Sequence, residues 1–346
     1  MKILFATYEG VLIAKGGPYV KIMEVRKHLQ NMGHQVDLLN MWESFDSINQ
    51  YDIIHLVGSN LSIYGLARNL KFRGIKYIVE PVFFSRHSSS FLKTFFTIDK
   101  LLKNVVPGLW IDYAFVGDIC NWAERILPNT IAERDLISEG FSITKTKFEI
   151  VTNGVSERFQ NADPSLFIGK YGIKDFILSV GHIGPKRKNI LAFIKALQKI
   201  DHPAVIIGKM LNTGETEEVK KLINKNKNII VIDELRNDSS MLTSAYAACD
   251  TFVLPSQFET PGIAALEASL TGAKIVITPY GGTKDYFNDM VEYVNPYSVE
   301  SIRNGIIKSL NKKKTNELKE HIKNNFLWES VAEKSLLVYQ KISFDR

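Results

Sequence analysis

The chain has 346 residues, a length that corresponds to about two domains. Hydrophobic residues make up 45% of it, which suffices for sizeable cores and excludes general disorder. The formal net charge of +6 is too small to indicate a nucleic-acid-binding protein, so no nucleic-acid partner is expected. The two cysteines, Cys120 and Cys249, exclude a disulfide framework and a cysteine-based metal site, and a reducing compartment is expected.

No membrane-spanning segment is predicted. Glu9 interrupts the N-terminal apolar run, and no small-residue cleavage site follows, so this run is interpreted as a buried strand rather than a secretion signal. No stretch approaches about 18 uninterrupted apolar residues. The expected location is the cytoplasm, with peripheral contact at the inner face of the membrane left open.

Short apolar runs alternate with amphipathic helical stretches, a pattern typical of βαβ units and parallel sheets. The strands predicted in the first half are Ile3–Ala6, Val36–Leu39, Ile53–Val57, Tyr77–Val79 and Phe148–Val151. The helices predicted there are Pro18–Met32, Ser62–Phe72 and Ile131–Glu139.

The same alternation continues in the second half. The strands predicted there are Phe176–Val180, Ala204–Ile207, Ile229–Ile232, Thr251–Leu254 and Lys274–Ile277. The helices are Asn189–Lys199, Glu217–Asn224, Ser240–Ala247 and Ile263–Leu270. Because the pattern restarts after Asn161–Pro164, we expect one domain over residues 1–165, a second over residues 166–326, and a closing segment over residues 327–346.

A pair of glycines, Gly16 and Gly17, follows the first predicted strand and precedes Pro18 at the start of a helix. Glycines allow a ligand to approach the backbone, and a helix start offers unpaired N–H groups, so a diphosphate or an acceptor would fit there. A third glycine and a ribose-binding acid are missing, which disfavours NAD binding. A tight turn without a ligand is an equally good interpretation.

A basic loop follows the first strand of the second half. It contains Gly181, Gly184 and three consecutive cations, Lys186, Arg187 and Lys188. Cations at a helix start, beyond the carboxyl end of a parallel strand, favour a site for condensed negative charge. The alternative is a surface loop with a basic tip.

Two carboxylates, Glu259 and Glu267, lie eight positions apart around a Pro-Gly turn that leads into an apolar helix. Carboxylates accept hydrogen bonds from sugar hydroxyls, and free N–H groups around Gly262–Ala264 can meet a phosphate. Glu259 could instead cap the helix, but Glu267 within an apolar run is costly without a partner.

These motifs resemble those of the family-4 retaining glycosyltransferases. The pair Glu259 and Glu267 matches that family's E-x7-E element, and Gly16-Gly17 matches its N-terminal glycine loop, which contributes to the donor site. Further matches are Leu127-Pro128-Asn129, Asn153-Gly154-Val155, Ser179–Asn189, the loop Tyr280–Tyr286 and the closing segment at Trp328-Glu329. The resemblance covers nearly the whole chain and is stronger in the second half.

The resemblance implies an α/β fold of the GT-B type. In that fold two Rossmann-like domains with parallel sheets face each other across a cleft, and a C-terminal helix crosses back to the first domain. It also implies retaining transfer of a hexose-type sugar from a UDP- or GDP-sugar to a glycan or lipid-linked acceptor in glycan or cell-envelope polysaccharide synthesis. No dedicated enzyme nucleophile and no cofactor are expected.

For the donor, the resemblance implies that Glu267 accepts the ribose hydroxyls. Glu259 would contact the hydroxyls of the transferred sugar, and Gly262 and Ile263 would offer backbone N–H groups nearby. Glu259 is therefore a predicted catalytic residue, and the other three are predicted donor-binding residues.

Lys188 would neutralise the diphosphate. Arg187 is the alternative, because the loop spacing is ambiguous by one residue. His182 stands where the family usually has an arginine, which makes the charge there depend on pH. Ile232 and its neighbours would line the base pocket, without distinguishing uracil from guanine.

Two acceptor-side residues are also implied. His55, at the end of the third strand, would face the cleft, although a buried core histidine is an equally good interpretation. Glu80 stands where many relatives carry a histidine, which suggests recognition of a hydroxyl or an amine. No Asp-x-Asp motif occurs in the chain, and metal dependence is not expected.

The segment Ser90–Val106 combines aromatic and aliphatic residues with lysines. A basic amphipathic helix of this kind could touch an anionic bilayer or bind the tail of a lipid-linked acceptor, or it could be a core helix of the first domain. Two alternatives to transfer also remain: an epimerase of the same fold and a non-catalytic protein that binds sugar nucleotides.

Overall fold

The computed structural model describes residues 1–14, 16–103 and 112–344. It divides into two compact units, the first comprising Met1–Gly154 with Trp328–Arg346 and the second comprising Val155–Leu327. The division lies before the boundary expected after residue 165, because Val155 and Phe159 belong to the hydrophobic core of the second unit.

The first unit is built on a sheet of five parallel strands. The strands are β1 (Lys2–Thr7), β2 (Gln35–Leu38), β3 (Ile53–Val57), β4 (Ile78–Glu80) and β5 (Arg125–Ile126). They lie in the order β2-β1-β3-β4-β5. The helices are α1 (Gly10–Ala14), α2 (Gly17–Asn31), α3 (Leu61–Phe72), α4 (Ser89–Lys103), α5 (Asp112–Trp122) and α6 (Ile131–Phe141), with α15 (Trp328–Phe344) from the end of the chain.

The second unit has a sheet of six parallel strands. The strands are β6 (Phe176–Val180), β7 (Ala204–Ile207), β8 (Ile229–Ile232), β9 (Cys249–Leu254), β10 (Lys274–Ile277) and β11 (Glu292–Tyr293). They lie in the order β11-β10-β9-β6-β7-β8. The helices are α7 (Ser165–Tyr171), α8 (Ile190–Leu197), α9 (Thr216–Lys225), α10 (Ser240–Ala248), α11 (Ile263–Leu270), α12 (Lys284–Phe287), α13 (Val299–Asn311) and α14 (Glu317–Asn325).

Every strand pair formed by the described residues is parallel, as in the register of Leu4 with Ile54 and of Leu178 with Val205. Parallel neighbours require crossover connections, and these are supplied by the helices between the strands. The predicted α/β class with two Rossmann-like parallel sheets is confirmed.

Burial on both faces explains why the strands of the second unit are continuous apolar runs. In β9, Phe252 and Leu254 pack into one core with Tyr246, and Val253 packs into the opposite core with Phe193. Successive side chains of a strand point to opposite faces, so a strand covered on both sides has no polar alternation. Strands β6 to β10 accordingly lie close to their predicted positions.

The strand predicted at Phe148–Val151 is not present as such. Phe148 forms only an isolated bridge with Ile126, and the amides of Glu149 and Val151 donate to the carbonyls of Ile126 and Pro128. This segment runs beside β5 without forming a ladder. Strand β5 has only two residues and therefore no recognisable apolar run in the sequence.

The closing helix α15 belongs to the first unit and packs on α2. Its first residue, Trp328, is 2% exposed. A Cβ atom at Gly154 would lie 2.6 Å from Cε3 of this indole, so only a glycine leaves room for Trp328 here.

Candidate functional site

Three loops of the second unit lie at one edge of its sheet. They follow β6, β9 and β10, which are adjacent strands. Because parallel strands end at the same edge, these loops are neighbours, and such edges are where α/β sheets bind ligands. The loops carry Lys188, Glu259 and Tyr280 respectively.

Glu259 is the centre of a buried polar cluster. Its Oε1 atom accepts hydrogen bonds from Lys188 Nζ at 2.7 Å, from Ser256 Oγ at 2.7 Å and from Arg187 Nη1 at 3.2 Å. Burial by itself would raise the pKa of Glu259, but the charges of Lys188 and Arg187 outweigh it, and the pKa lies below its ordinary value. Glu259 is therefore ionised at neutral pH.

The hydrogen bonds leave one oxygen of Glu259 open. All three donors approach Oε1, and no donor among residues 1–14, 16–103 and 112–344 contacts Oε2. A carboxylate oxygen has lone pairs for more than one donor. Oε2 can therefore accept a hydrogen bond from a ligand hydroxyl.

Backbone and amide contacts fix the loops that carry this cluster. Asn189 Nδ2 donates to the carbonyl of Pro255 at 2.9 Å and to that of Pro296 at 2.7 Å. The amide of Gln257 donates to the carbonyl of Arg187 at 2.8 Å. The cations after β6 are thus held against the loop after β9 by bonds that do not depend on their own charges.

The loop after β10 approaches Glu259 along the backbone. The amide of Glu259 donates to the carbonyl of Tyr280 at 3.0 Å. Gly281 has a φ of +97°, and a Cβ atom there would lie 2.5 Å from the carbonyl oxygen of Glu259. Both its conformation and its surroundings therefore require glycine at position 281.

Helix α11 begins beside this cluster. Gly262 precedes it with a φ of +85° and provides no side-chain cap. The first-turn N–H groups of a helix have no intrahelical partner and carry a partial positive charge. The backbone N–H groups at Gly262 and Ile263 are therefore available to an anionic group, and their role in donor binding stays a prediction.

Glu267 is buried on α11 and has partners within the protein. Its Oε1 accepts from Asn237 Nδ2 at 3.2 Å, and the Tyr246 hydroxyl faces it. Burial raises the pKa of Glu267, and its hydrogen bonds oppose this rise without cancelling it. Arg158 Nη2 in turn donates to Asn237 Oδ1 at 3.1 Å.

Four residues around the two glutamates were not predicted as site residues: Arg158, Asn237, Tyr246 and Ser256. These residues belong to no spaced motif and reach the two glutamates only through the fold. No sequence signal identifies them, apart from the general need of a buried carboxylate for partners.

The ends of β6, β7 and β8 complete this edge of the sheet. The amide of Gly181 donates to Ile207, and the amide of Gly208 donates to Ile232, the last residue of β8. A Cβ atom at Gly208 would overlap the carbonyl of Gly181. His182 is half-buried, and its ring makes no hydrogen bond or ion pair with the described residues. The roles of Ile232 and His182 in donor binding stay predictions.

The glycine pair of the first unit lies at the start of α2. Gly16 is the N-cap residue, and a side chain there would meet no atom within 4 Å. Packing therefore does not require glycine at position 16, and a role for Gly16 and Gly17 in ligand approach stays a prediction. Lys15 lies outside the described residues.

Glu80 is buried at the end of β4 in a pair with Lys21, whose Nζ lies 2.9 Å from Glu80 Oε1. The same Nζ donates to Asn129 Oδ1 at 2.7 Å and to the carbonyl of Val151 at 2.9 Å. Burial raises the pKa of Glu80, opposed by Lys21 and Asn129. With its partners in place, Glu80 is not exposed to a ligand, and acceptor recognition by it stays a prediction.

His55 is 2% exposed in β3, and its Nδ1 lies 2.8 Å from the Tyr339 hydroxyl of α15. Burial, aided by the charge of Lys21, lowers its pKa to about 3. No described residue bonds its Nε2. The placement favours the core-histidine interpretation, in which a neutral ring links the sheet to the last helix.

The segment Ser90–Val106 forms most of α4 as far as Lys103; its residues 104–106 lie outside the described residues. One face buries Leu92 and Phe96 in the core of the first unit, as a core helix would. A second face exposes an apolar stripe of Phe91, Phe95, Ile98 and Leu102.

Two kinds of site are not found in the described part of the chain. No three His, Cys, Asp or Glu side chains there form a group that could hold a metal ion. No described helix has the length and apolar character needed to cross a membrane.

Comparison with known proteins finds matches to the second unit and to longer stretches of the chain. Residues 167–326 match the family model for Glycosyl transferases group 1. The sulfoquinovosyl transferase SQD2 of Arabidopsis thaliana is 24% identical over 280 residues, which cover 77% of this chain and 51% of that protein. An uncharacterized glycosyltransferase of Methanocaldococcus jannaschii is 25% identical over 219 residues, which cover 58% of this chain and 55% of that protein. The chain thus spans about half the length of these relatives.

Solved structures show the same fold over the whole chain. A glycosyltransferase from Rickettsia africae has a TM-score of 0.75 and 17% identity, covering 99% of this chain and 98% of that one. HepE from Anabaena, solved with UDP and glucose, has a TM-score of 0.71 and 14% identity, covering 98% and 99%. The chain thus shares the GT-B fold of these glycosyltransferase structures, and residues 167–326 match the model of the group 1 glycosyltransferase family.

Proposed function

We propose that this protein transfers a hexose-type sugar from a UDP- or GDP-sugar to a glycan or lipid-linked acceptor, with retention of configuration and without a metal ion. One observation carries the proposal: a buried, ionised Glu259 accepts from Lys188, Arg187 and Ser256 on one oxygen and leaves the other open. A hydroxyl-binding carboxylate beside two cations suits a sugar joined to a diphosphate. The match of residues 167–326 to the group 1 glycosyltransferase model and the UDP bound by HepE support it.

In this proposal the second unit binds the donor. Oε2 of Glu259 accepts from a hydroxyl of the transferred sugar, and the first-turn amides of α11 meet the diphosphate. As the bond to the sugar breaks, negative charge grows on the leaving diphosphate. Lys188 and Arg187 already lie beside it and stabilise that charge without reorganisation.

Glu267 serves as the ribose acceptor in the same proposal. Its Oε1 atom already accepts a hydrogen bond from Asn237 Nδ2. The ribose hydroxyls would either replace this hydrogen bond or donate to the carboxylate in addition to it. Because its carboxylate is preformed in a buried position, little ordering is needed when the nucleotide binds.

The two glutamates are better interpreted as hydroxyl acceptors than as a glycosidase pair. In retaining glycosidases the two carboxyl groups face each other about 5 Å apart across the scissile bond. Here Glu259 is bonded by cations and Glu267 by an amide, on one turn-helix element. Following the resembled family, the acceptor attacks from the face of the leaving group, and a phosphate oxygen takes its proton.

The acceptor side of the proposal includes lipid. The stripe of Phe91, Phe95, Ile98 and Leu102 on α4 suits an apolar tail or a bilayer surface. At about 100° per residue, Lys93 and Lys100 lie on the opposite side of the helix from this stripe. The surface that would meet the lipid is therefore apolar. We expect the protein to bind neutral and anionic vesicles with similar affinity.

The experiment incubates the full chain with UDP- and GDP-hexoses, alone and with glycan acceptors, and follows the products by NMR. Transfer with the anomeric configuration of the donor, unaffected by a chelator, is the expected result. Isomerisation of the donor would instead identify an epimerase, and binding without turnover would identify a non-catalytic sugar-nucleotide-binding protein. Inversion of configuration would contradict the retaining mechanism.

A further inference from the structure

Two tyrosines of the second unit present exposed rings close to each other. Tyr280, after β10, is 45% exposed, and Tyr297, after β11, is 60% exposed. Their ring centroids lie 6.3 Å apart with the planes inclined at 43°. Large aromatic side chains exposed together mark interaction sites more often than single exposed residues do.

Both tyrosines extend from backbone that is tied to the Glu259 cluster. The carbonyl of Tyr280 accepts the amide of Glu259 at 3.0 Å. Pro296, the residue before Tyr297, has its carbonyl bonded by Asn189 Nδ2 at 2.7 Å, and Asn189 follows Lys188 directly. The pair therefore belongs to the same loop assembly as the carboxylate and the cations.

The backbone of the pair is also fixed locally. The amide of Tyr297 donates to Asn295 Oδ1 at 3.0 Å, and the amide of Tyr280 donates to Thr278 Oγ1 at 3.3 Å. A tyrosine side chain has only two rotatable χ angles, so an anchored tyrosine loses little entropy when it meets a ligand. The rings are suited to binding rather than to filling a core.

We propose that Tyr280 and Tyr297 form an aromatic platform for the C–H face of a pyranose ring. A pyranose has apolar faces of C–H groups and a rim of hydroxyls. An aromatic ring can cover such a face, and the open Oε2 of Glu259 can accept from a hydroxyl on the rim. The inference rests on the proposed function and extends it to a sugar contact outside the matched glutamate motif.

The pyranose can belong to the donor or to the acceptor, and the experiment separates these sources. Calorimetry with UDP, UDP-glucose, GDP and GDP-mannose measures the donor arm. Saturation-transfer NMR with methyl glycosides of glucose, galactose and mannose, with and without UDP, measures the acceptor arm. The proteins are the full chain and its variants Tyr280→Ala, Tyr297→Ala, Tyr280→Phe and Tyr297→Phe.

If the platform holds the donor sugar, the alanine variants bind UDP or GDP normally but bind the sugar nucleotide about 3- to 10-fold more weakly. If it holds the acceptor sugar, they lose the methyl-glycoside signal with unchanged donor affinity. The phenylalanine variants keep the ring and should behave like the wild type in either case.

Unchanged binding of every probe by both alanine variants would overturn the platform, and so would a wild type that binds none of the sugars. A wild type that binds methyl glycosides through the tyrosines but no nucleotide would instead overturn the proposed function and leave the platform standing. Both alanine substitutions remove exposed rings, so the variants should fold, as circular dichroism can verify.

Discussion

Lys188 Nζ lies 2.7 Å from Glu259 Oε1, so a residue assigned to the diphosphate already has a carboxylate partner before any ligand arrives. The pair explains how Glu259 stays ionised although it is buried. It also positions the ammonium group beside the open carboxylate oxygen. A bound diphosphate would therefore contact a Lys188 ammonium group that is also paired with Glu259. The pair holds this ammonium group in position before the ligand binds.

Lys188→Ala should lower turnover far more than stability. Arg187 and Ser256 continue to bond Glu259, while one preplaced cation is lost from the leaving group, which costs about 100-fold in kcat. Steady-state kinetics and thermal unfolding measure the two effects.

Lys186→Ala is the matched control, because Lys186 lies on the same short turn, is exposed and makes no ion pair with the described residues. It should leave kcat unchanged. A large loss for Arg187→Ala together with none for Lys188→Ala would assign the diphosphate to Arg187 instead.

Glu267→Gln should weaken nucleotide-sugar binding more than it harms folding. A charge-assisted hydrogen bond to ribose is worth roughly 1.5–3 kcal/mol, or about 10- to 150-fold in affinity. Because burial already raises the pKa of Glu267, an uncharged amide is tolerated there. Calorimetric titration of the donor measures the change, and unchanged affinity would refute the ribose assignment.

Ser269→Ala is the control on the same helix. Ser269 is buried and its hydroxyl donates to the carbonyl of Ala265 at 2.7 Å, away from the carboxylate. It should alter stability slightly and leave donor affinity as in the wild type.

Gly281→Ala should reduce both stability and donor affinity. Its left-handed backbone disfavours a side chain by roughly 1–2 kcal/mol, and the new Cβ atom would also press on the carbonyl of Glu259. Gly272→Ala shares the positive φ, at +91°, but its Cβ atom would meet nothing within 4 Å. Gly272→Ala should therefore lose stability alone. Equal effects of both variants on donor affinity would show that the contact with Glu259 is unimportant.

His55→Asn should make the protein less sensitive to acid. The folded pKa of about 3 lies below the ordinary 6.5, so the unfolded chain binds a proton that the folded chain does not. Stability is therefore lost as pH falls below 6.5, by about 2 kcal/mol between pH 7 and about pH 5. Asparagine can keep a hydrogen bond to Tyr339 without taking up this proton.

Urea unfolding at pH 7 and at about pH 5 measures how much the free energy of unfolding changes with pH in the wild type and in the variant. Tyr339→Phe is the control, since it removes the hydroxyl but leaves the histidine buried and the acid dependence in place. An unchanged pH slope for His55→Asn would show that other groups cause the acid sensitivity.

The strands of the second unit could be predicted because both faces of the sheet are covered. Every residue of a run such as Phe252-Val253-Leu254 is then apolar, and the pattern is visible without knowing the neighbours. In contrast, β5 has two residues, and its place between β4 and the segment at Phe148 depends on contacts distant in sequence.

Lys21 shows why side-chain partners are harder to predict than strands. A lysine in an amphipathic helix usually indicates the exposed face, yet Lys21 is 3% exposed and paired with Glu80. The family resemblance implies acceptor-side roles for Glu80 and His55, with a core histidine as the equal alternative for His55. Their partners, Lys21 from α2 and Tyr339 from α15, are supplied by the tertiary fold and have no signature in the sequence.

The first unit is made from two segments that lie far apart in the sequence, which bears on the order in which its parts are synthesised. Residues 155–327 leave the ribosome before Trp328, so the second unit can acquire its complete core while the first still lacks α15. Until α15 has been synthesised, α2 lacks the helix that packs on it, and His55 lacks its hydrogen bond to the Tyr339 hydroxyl. Domains ordinarily mature in the order in which they are translated. In this protein the first unit is complete only after α15 has been translated, so a nascent chain stalled before residue 328 is expected to expose the surface that α15 covers, where chaperones could bind.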